Sequence, residues 1–273
     1  MASLWTDSLE VPEDTMVLAS VGPLRLVVIH LPGEWRLAWA RNGVEPAAET
    51  ASPEAPPVPV SEIGPPEPLR ELEPEFTVQR FLSHRPGDRI RLSPRLADRP
   101  VVARPELPLT IPAGDEAEIF VSAPVWVLAE LPEPDRTLLD LPTQRPSDTW
   151  FGPDTRRGVV AYAIRTAARL HIDRLPRLPH RAISCIRVRN QADGPLLLER
   201  LSVPAPELPL FLDRNGALWT ASLLVEREST SQPARVEVAD LPPQEAEGAQ
   251  RIAGPRIPPE RNVISRAFHV LIG

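Results

Sequence analysis

The side chains in this chain with chemistry to offer are five histidines, one cysteine, six tryptophans and thirty cationic residues, every one of them arginine. His171 and Asp173 stand two positions apart, with His180 following. On a strand, alternate residues share a face, so His171 and Asp173 would present an imidazole and a carboxylate together, a partial donor set for a metal or an acid–base pair. Nothing in the sequence completes that set: there is no HExxH, no second cysteine beside Cys185 and no third clustered ligand. The three residues are therefore read as loop positions, and no metal or cofactor is expected. Cys185, between Ser184 and Ile186 in a strand-like run, reads as a buried, inert thiol, because activation needs a neighbouring base. A GxSxG elbow is absent, as are GxxxxGK and GxGxxG phosphate loops, and without lysine no Walker A site exists. Serine-hydrolase and nucleotide-hydrolysing activities are set aside, no catalytic residue is assigned, and the chain leans away from being an enzyme.

The arginines form the more informative pattern. Arg156 and Arg157 precede a long alternating run, Val159 to Ile172, in which Arg165 and Arg169 fall on the odd-numbered, small-to-basic face. Arg181 and Arg189 flank the next apolar run, Ile183 to Val188, and Arg187 lies near its end. Should these two strands pair, the guanidinium groups share one surface. Arginine grips carboxylates and phosphates through a planar fork of donors, which makes such a surface a docking face for lipid head groups, nucleic acid or an acidic protein. The plainer alternative is that arginine is this chain's only cation and covers polar strand faces by default. Nucleic acid is disfavoured, since one tyrosine and 5% aromatic residues leave few stacking platforms. Trp150, in Trp150-Phe151-Gly152, opens a turn before the long run and either lines a ligand groove or plugs a domain junction. The candidate partner-binding set is thus Arg156, Arg157, Arg165, Arg169, Arg181, Arg187, Arg189 and Trp150.

The elements that must position these residues read as strands. Met16–Val21, Leu24–His30 and Glu34–Ala40 are short aliphatic and aromatic runs punctuated by Gly22-Pro23 and Pro32-Gly33, a meander of hairpins. Ala117–Val121 and Val125–Leu128 suggest a further pair broken at Ala123-Pro124. The polar, proline-spaced stretch from Pro132 to Pro146 reads as a domain boundary. Beyond it the even positions of 159–172 are apolar, as a half-buried antiparallel strand requires. Runs at 183–188, 195–203 and 208–212 continue the pattern, and Asn215-Gly216 marks a hairpin into 217–224, before a last strand at 235–238. The tail, 261–272, is open between helix and strand. The expectation is an all-β chain, an antiparallel β-sandwich or jelly-roll-like fold in two units, 1–145 and 146–273, with little helix.

Composition narrows the class. Thirty-six prolines in 273 residues exclude a helix bundle, since an interior proline costs a helix about 3 kcal/mol. The net charge of −7 is local: residues 44–75 hold nine prolines, eight glutamates and only Arg70 as a cation, and the remainder of the chain sums to zero. That stretch is expected to be an exposed, polyproline-stiffened acidic loop in the first unit. No apolar run is long enough for a membrane helix, and the opening residues lack a basic and an apolar signal region. With a single cysteine, the expected location is the cytoplasm.

Several short segments then line up as one ordered pattern: Thr149-Trp150-Phe151-Gly152, Tyr162-Ala163, Thr166-Ala167-Ala168-Arg169, Pro179-His180-Arg181-Ala182-Ile183, Glu199-Arg200-Leu201 and Leu218-Trp219-Thr220. The pattern resembles a prokaryotic family, the domain-of-unknown-function family four-three-two, most closely over residues 149–220. The resemblance implies a prokaryotic protein associated in genomes with small-conductance mechanosensitive channels, and it supplies no catalytic residues. The functional expectation is a non-enzymatic accessory module that docks on or regulates such a channel, held peripherally at the inner membrane through that partner. The alternative is a small-ligand or carbohydrate-binding jelly roll, or an enzyme on that fold, with a site near Trp150 and His171.

Overall fold

Short apolar runs cut by proline and glycine have no length for helices, and the computed structural model of the chain is all-β. The structure describes residues 5, 8–41, 58, 60, 61, 63–65, 76–83, 87–132, 135–152, 154, 156–229 and 234–258. The described residues fall into two compact units, one holding those up to 94 and 125–145, the other 95–124 and everything from 146 onward.

In the first unit β1 (Ser8–Glu10) precedes a meander of β2 (Thr15–Val21), β3 (Leu24–Leu31), β4 (Glu34–Arg41) and β5 (Thr77–Leu82), each strand antiparallel to the next. The turn between β3 and β4 follows type II logic: Pro32 fixes one φ, and Gly33 takes the φ of +74° that a side chain would resist. After β6 (Arg89–Arg95) the chain supplies β7 (Val101–Ala103), β8 (Leu109–Ile111) and β9 (Glu116–Pro124) to the second unit. It returns with β10 (Trp126–Pro132) and β11 (Asp135–Pro142), which complete a second sheet in the order β1-β6-β10-β11. Val27, Ile29 and Ala38 anchor an apolar cluster on one face of the meander, with Met16, Leu18, Leu31 and Phe76 against it.

The described part of the acidic proline-rich segment has a definite place. Gly64 exchanges backbone hydrogen bonds with Met16 at 2.8 and 3.1 Å, and the Ser61 amide donates to the Leu18 carbonyl at 2.8 Å. The Ser61 hydroxyl accepts from the Leu18 amide at 2.9 Å. This segment covers the free edge of β2, which otherwise offers unpaired groups to a foreign strand.

Glu34 opens β4 almost fully buried and is gripped by Arg80 of β5 at 2.5 Å and by Arg36. Hydrogen bonding from Arg80 outweighs burial and, with Arg36, holds the Glu34 carboxyl below the usual carboxylate range. A depressed folded value contributes stability that is present above the unfolded pKa and is lost as pH falls through the folded one. Glu34→Gln is expected to cost about 1–3 kcal/mol at neutral pH. In urea titrations, the gap between wild type and variant should close as pH drops below about 4.

The second unit continues with β12 (Asp148–Phe151), β13 (Val159–Ala163), β14 (Arg181–Asn190), β15 (Leu196–Leu198), β16 (Leu201–Val203), β17 (Leu210–Leu212), β18 (Leu218–Thr220), β19 (Leu223–Arg227), β20 (Arg235–Val238) and β21 (Gln250–Ala253). Its helical content among the described residues is two single 3-10 turns, Ile172–Arg174 and Ala205–Glu207. The central strand is β14, antiparallel to β9 from Arg181↔Pro124 to Arg189↔Glu116 and parallel to β18 and β19. A smaller sheet runs β12-β13-β7-β16, and β8 pairs with β15. The core beside β14 holds Phe120, Ile183, Cys185, Phe211 and a fully buried Trp219.

Four local expectations change. The 159–172 strand stops at Ala163, and its buried residue is Ala161, against Val102 and Phe151, while Val159 and Val160 are 45% and 47% exposed. After Ala163 the backbone leaves the sheet, and the Ala168 and Arg169 amides donate to the Arg104 and Phe120 carbonyls. The two runs around Ala123-Pro124 do not pair with each other: β9 joins β14, and β10 joins β11. The proline-spaced stretch 132–146 contains β11, whose prolines sit at the strand's end and beyond it. The division at 145/146 assigns residues 95–124 to the first half, yet the long β9–β14 ladder makes them part of the second unit. The tail at 261–272 lies outside the described residues.

Candidate anion-binding groove

The arginines picked out from the sequence do not form one face, because β13 and β14 do not pair. Arg187 and Arg189 point outward from β14 into a ladder of carboxylates. Arg187 lies 3.4 Å from Glu118, and Arg189 lies 2.9 Å from Glu116 and 3.5 Å from Glu226. The Glu116 hydrogen bond pushes the Arg189 pKa up. Such exposed cross-strand pairs hold register and neutralise one another.

Arg157 is committed to its own loop. Its Nε donates to Asp154 at 2.8 Å, and the same carboxylate accepts the backbone amides of Arg156 and Arg157 at 2.8 Å. These bonds hold Asp154 below the usual carboxylate range, the Arg157 side chain first. Trp150 Nε1 donates to the Asp154 carbonyl at 2.9 Å. A Cβ on Gly152 would stand 2.2 Å from the Arg157 carbonyl, and one on Gly158 2.8 Å from the Trp150 ring, so the loop closes only with glycine at both positions. Trp150 is therefore a partly exposed cover over its own loop, opposite Val160 in the register. The Arg156 side chain is exposed and makes no ion pair among the described residues.

Arg181 is buried. Its Nε donates to Ser122 Oγ at 2.9 Å, and its Nη2 donates to the Ser122 carbonyl and to Thr166 Oγ1, the latter at 2.7 Å. It ties the end of β9 to the segment that follows β13. That segment leads to a concave site that several arginines line.

The groove, about 340 Å³, lies at one end of the β12-β13-β7-β16 sheet. Topology places it there. β7 and β13 run parallel, so their last residues, Val102–Ala103 and Ala163, finish side by side. β12 and β16 run antiparallel to them, so the chain enters both strands at that same end. Arg104 follows β7, Arg165 follows β13 and Arg200 precedes β16, and all three line the opening with Thr149 and Thr166. Arg200 is held by a 3.3 Å hydrogen bond from Nη1 to the Trp150 carbonyl and lies 5.7 Å above the Phe151 ring. Arg104 and Arg165 are exposed and form no ion pair among the described residues. The lining contains a single carboxylate, Glu106, and it is paired with Arg169. Three arginines line the groove against one acid, Glu106, which pairs with Arg169, and buried Arg181 is bonded to Thr166 of the lining.

Of the residues expected to bind a partner, Arg165 lines this groove, and Arg169 and Arg181 reach its lining through Glu106 and Thr166. Arg104 and Arg200 were not in that set. Each sits just outside a short strand, where alternation carries no signal, and it is the antiparallel β7–β16 pairing, Ala103 opposite Leu201, that brings them together. His171 and Asp173 are exposed loop positions, His171 preceding a 3-10 turn that contains Asp173, whereas His180 is buried in the turn before β14. Among the described residues no group of three histidine, cysteine or acidic side chains is placed to hold a metal. Burial, with Glu118 nearby, pushes the Cys185 thiol far up, leaving it protonated and unreactive. No helix among the described residues is long and apolar enough to cross a membrane.

Among curated proteins and among solved structures, none matches the chain. The family described as protein of unknown function (DUF432) matches residues 7–272, nearly the whole length, and the chain belongs to that family.

Proposed function

We propose that this protein is a non-enzymatic accessory module that docks on an acidic partner through the arginine groove of its second unit. The observation that carries this reading is the convergence of Arg104, Arg165 and Arg200 on one concave opening, two of them without an acid to neutralise them among the described residues. Guanidinium groups held open in this way favour an anionic ligand over water, and a half-open groove admits a chain segment that continues past it. The partner proposed is the cytoplasmic face of a small-conductance mechanosensitive channel, the association that the family resemblance implies, and the module sits in the cytoplasm, at the inner membrane through that partner. Immobilised protein should capture the channel from solubilised native membranes at low ionic strength and release it as salt rises past the range where the Debye length is about 8 Å. Capture of no channel, or capture indifferent to salt, would count against the reading.

A further inference from the structure

We infer that the groove binds a ligand carrying adjacent phosphate-type oxyanions, and that Glu106 is the built-in competitor that sets its affinity. This rests on the proposed role of the groove as the docking site and names a regulator of it: a small polyanion that occupies the arginines displaces the acidic partner.

The chemistry follows from the lining. A single carboxylate has two oxygens and satisfies one guanidinium fork. Arg104, Arg165 and Arg200 line about 340 Å³ together with Thr149, and between them carry three forks. A pair of linked tetrahedral oxyanions supplies enough acceptors, in a compact volume, to engage all three. The site is also partly built in advance. Arg200 is fixed by the Trp150 carbonyl and the Phe151 ring, and Thr166 by its bonds to Ser122 and Arg181, so the side chains left to order on binding are Arg104 and Arg165. Glu106 is the exception to the positive lining. Its exposed carboxylate occupies Arg169 at the rim, as a ligand's own acid would. An entering polyanion meets repulsion from Glu106, and neutralising Glu106 removes that repulsion while leaving Arg169 available.

Isothermal titration of the full chain with pyrophosphate tests this, with phosphatidylcholine vesicles carrying cardiolipin, whose head group bears two phosphates, as a second arm. Pyrophosphate should bind at one site, Arg104→Ala or Arg165→Ala should each weaken it about tenfold, and Glu106→Gln should tighten it about threefold. Binding of pyrophosphate without vesicle binding assigns the ligand to free solution. Vesicle binding that is lost in the double alanine variant assigns it to a lipid head group. If neither binds, or if binding is unchanged in the double variant or weakened by Glu106→Gln, the inference is overturned. Capture of the channel is measured separately without added phosphate, so loss of this inference leaves the docking reading standing, and loss of capture leaves the anion site standing.

Discussion

Replacing Trp219 by alanine is expected to destabilise the second unit by about 3–5 kcal/mol, among the largest effects of any single substitution in the chain. Trp219 is fully buried on β18, packed with Phe120, Ile183, Phe211 and Ala246, and the cavity left behind is lined by strands that cannot collapse independently. Its Nε1 also donates to Asp213 Oδ2 at 2.8 Å. Asp213 is itself buried and shapes the Asn215-Gly216 turn by accepting the amides of Asn215 and Ala217 at 2.9 and 2.8 Å. Loss of the indole therefore takes a donor from a buried acid as well as filling from the core. Trp219→Phe separates the two contributions: it keeps most of the packing, loses the hydrogen bond and should cost about 1–3 kcal/mol. Equilibrium denaturation of both variants checks the order; equal losses would show that the hydrogen bond, not the cavity, dominates.

Arg181→Met is expected to cost about 2–4 kcal/mol and to disturb the groove at the same time. Methionine fills similar space without donors, so Ser122 Oγ, the Ser122 carbonyl and Thr166 Oγ1 each lose a bond. Removal of a buried charge offsets part of that loss, which keeps the figure below the sum of three orphaned groups. Thr166 sits in the groove lining, so the segment between Ala163 and Ala168 should exchange its amides faster and pyrophosphate affinity should fall. Lysine at position 181 should not rescue either property, because a point charge cannot reproduce the fork that reaches both Ser122 and Thr166. Hydrogen exchange over 163–168, read beside denaturation, distinguishes a local effect on the groove from general loosening.

The fold class was legible in the sequence because hairpin strands with glycine turns carry their own punctuation. β2, β3 and β4 lie within a residue of the runs read from alternation, and the Asn215-Gly216 turn does join β17 to β18. Non-local pairing was not legible. β9 looks like the partner of β10, its neighbour in the chain, and only the ladder to β14, some sixty residues later, shows where it belongs. The same blindness hid the groove. Arg165 was singled out for a position on a strand face that does not exist, since the strand ends two residues earlier. Arg104 gave no signal, and Arg200 none beyond its place in the family pattern, because what unites them is the antiparallel β7–β16 pair, a contact between residues about a hundred apart. Arg181 carried the opposite lesson: it begins a strand whose flanking arginines look exposed, yet its guanidinium is spent inside the unit.

The central claim is that the groove arginines make the docking contact, and the variant that isolates it is Arg104→Glu with Arg165→Glu. Both side chains are exposed and unpaired among the described residues, so their reversal should leave the melting transition within about 1 kcal/mol of wild type. Capture of the channel from solubilised native membranes, run side by side with wild type at one salt concentration, is the decisive comparison. The account predicts recovery with wild type and its loss with the double variant. Equal recovery by a double variant of unchanged stability would contradict it.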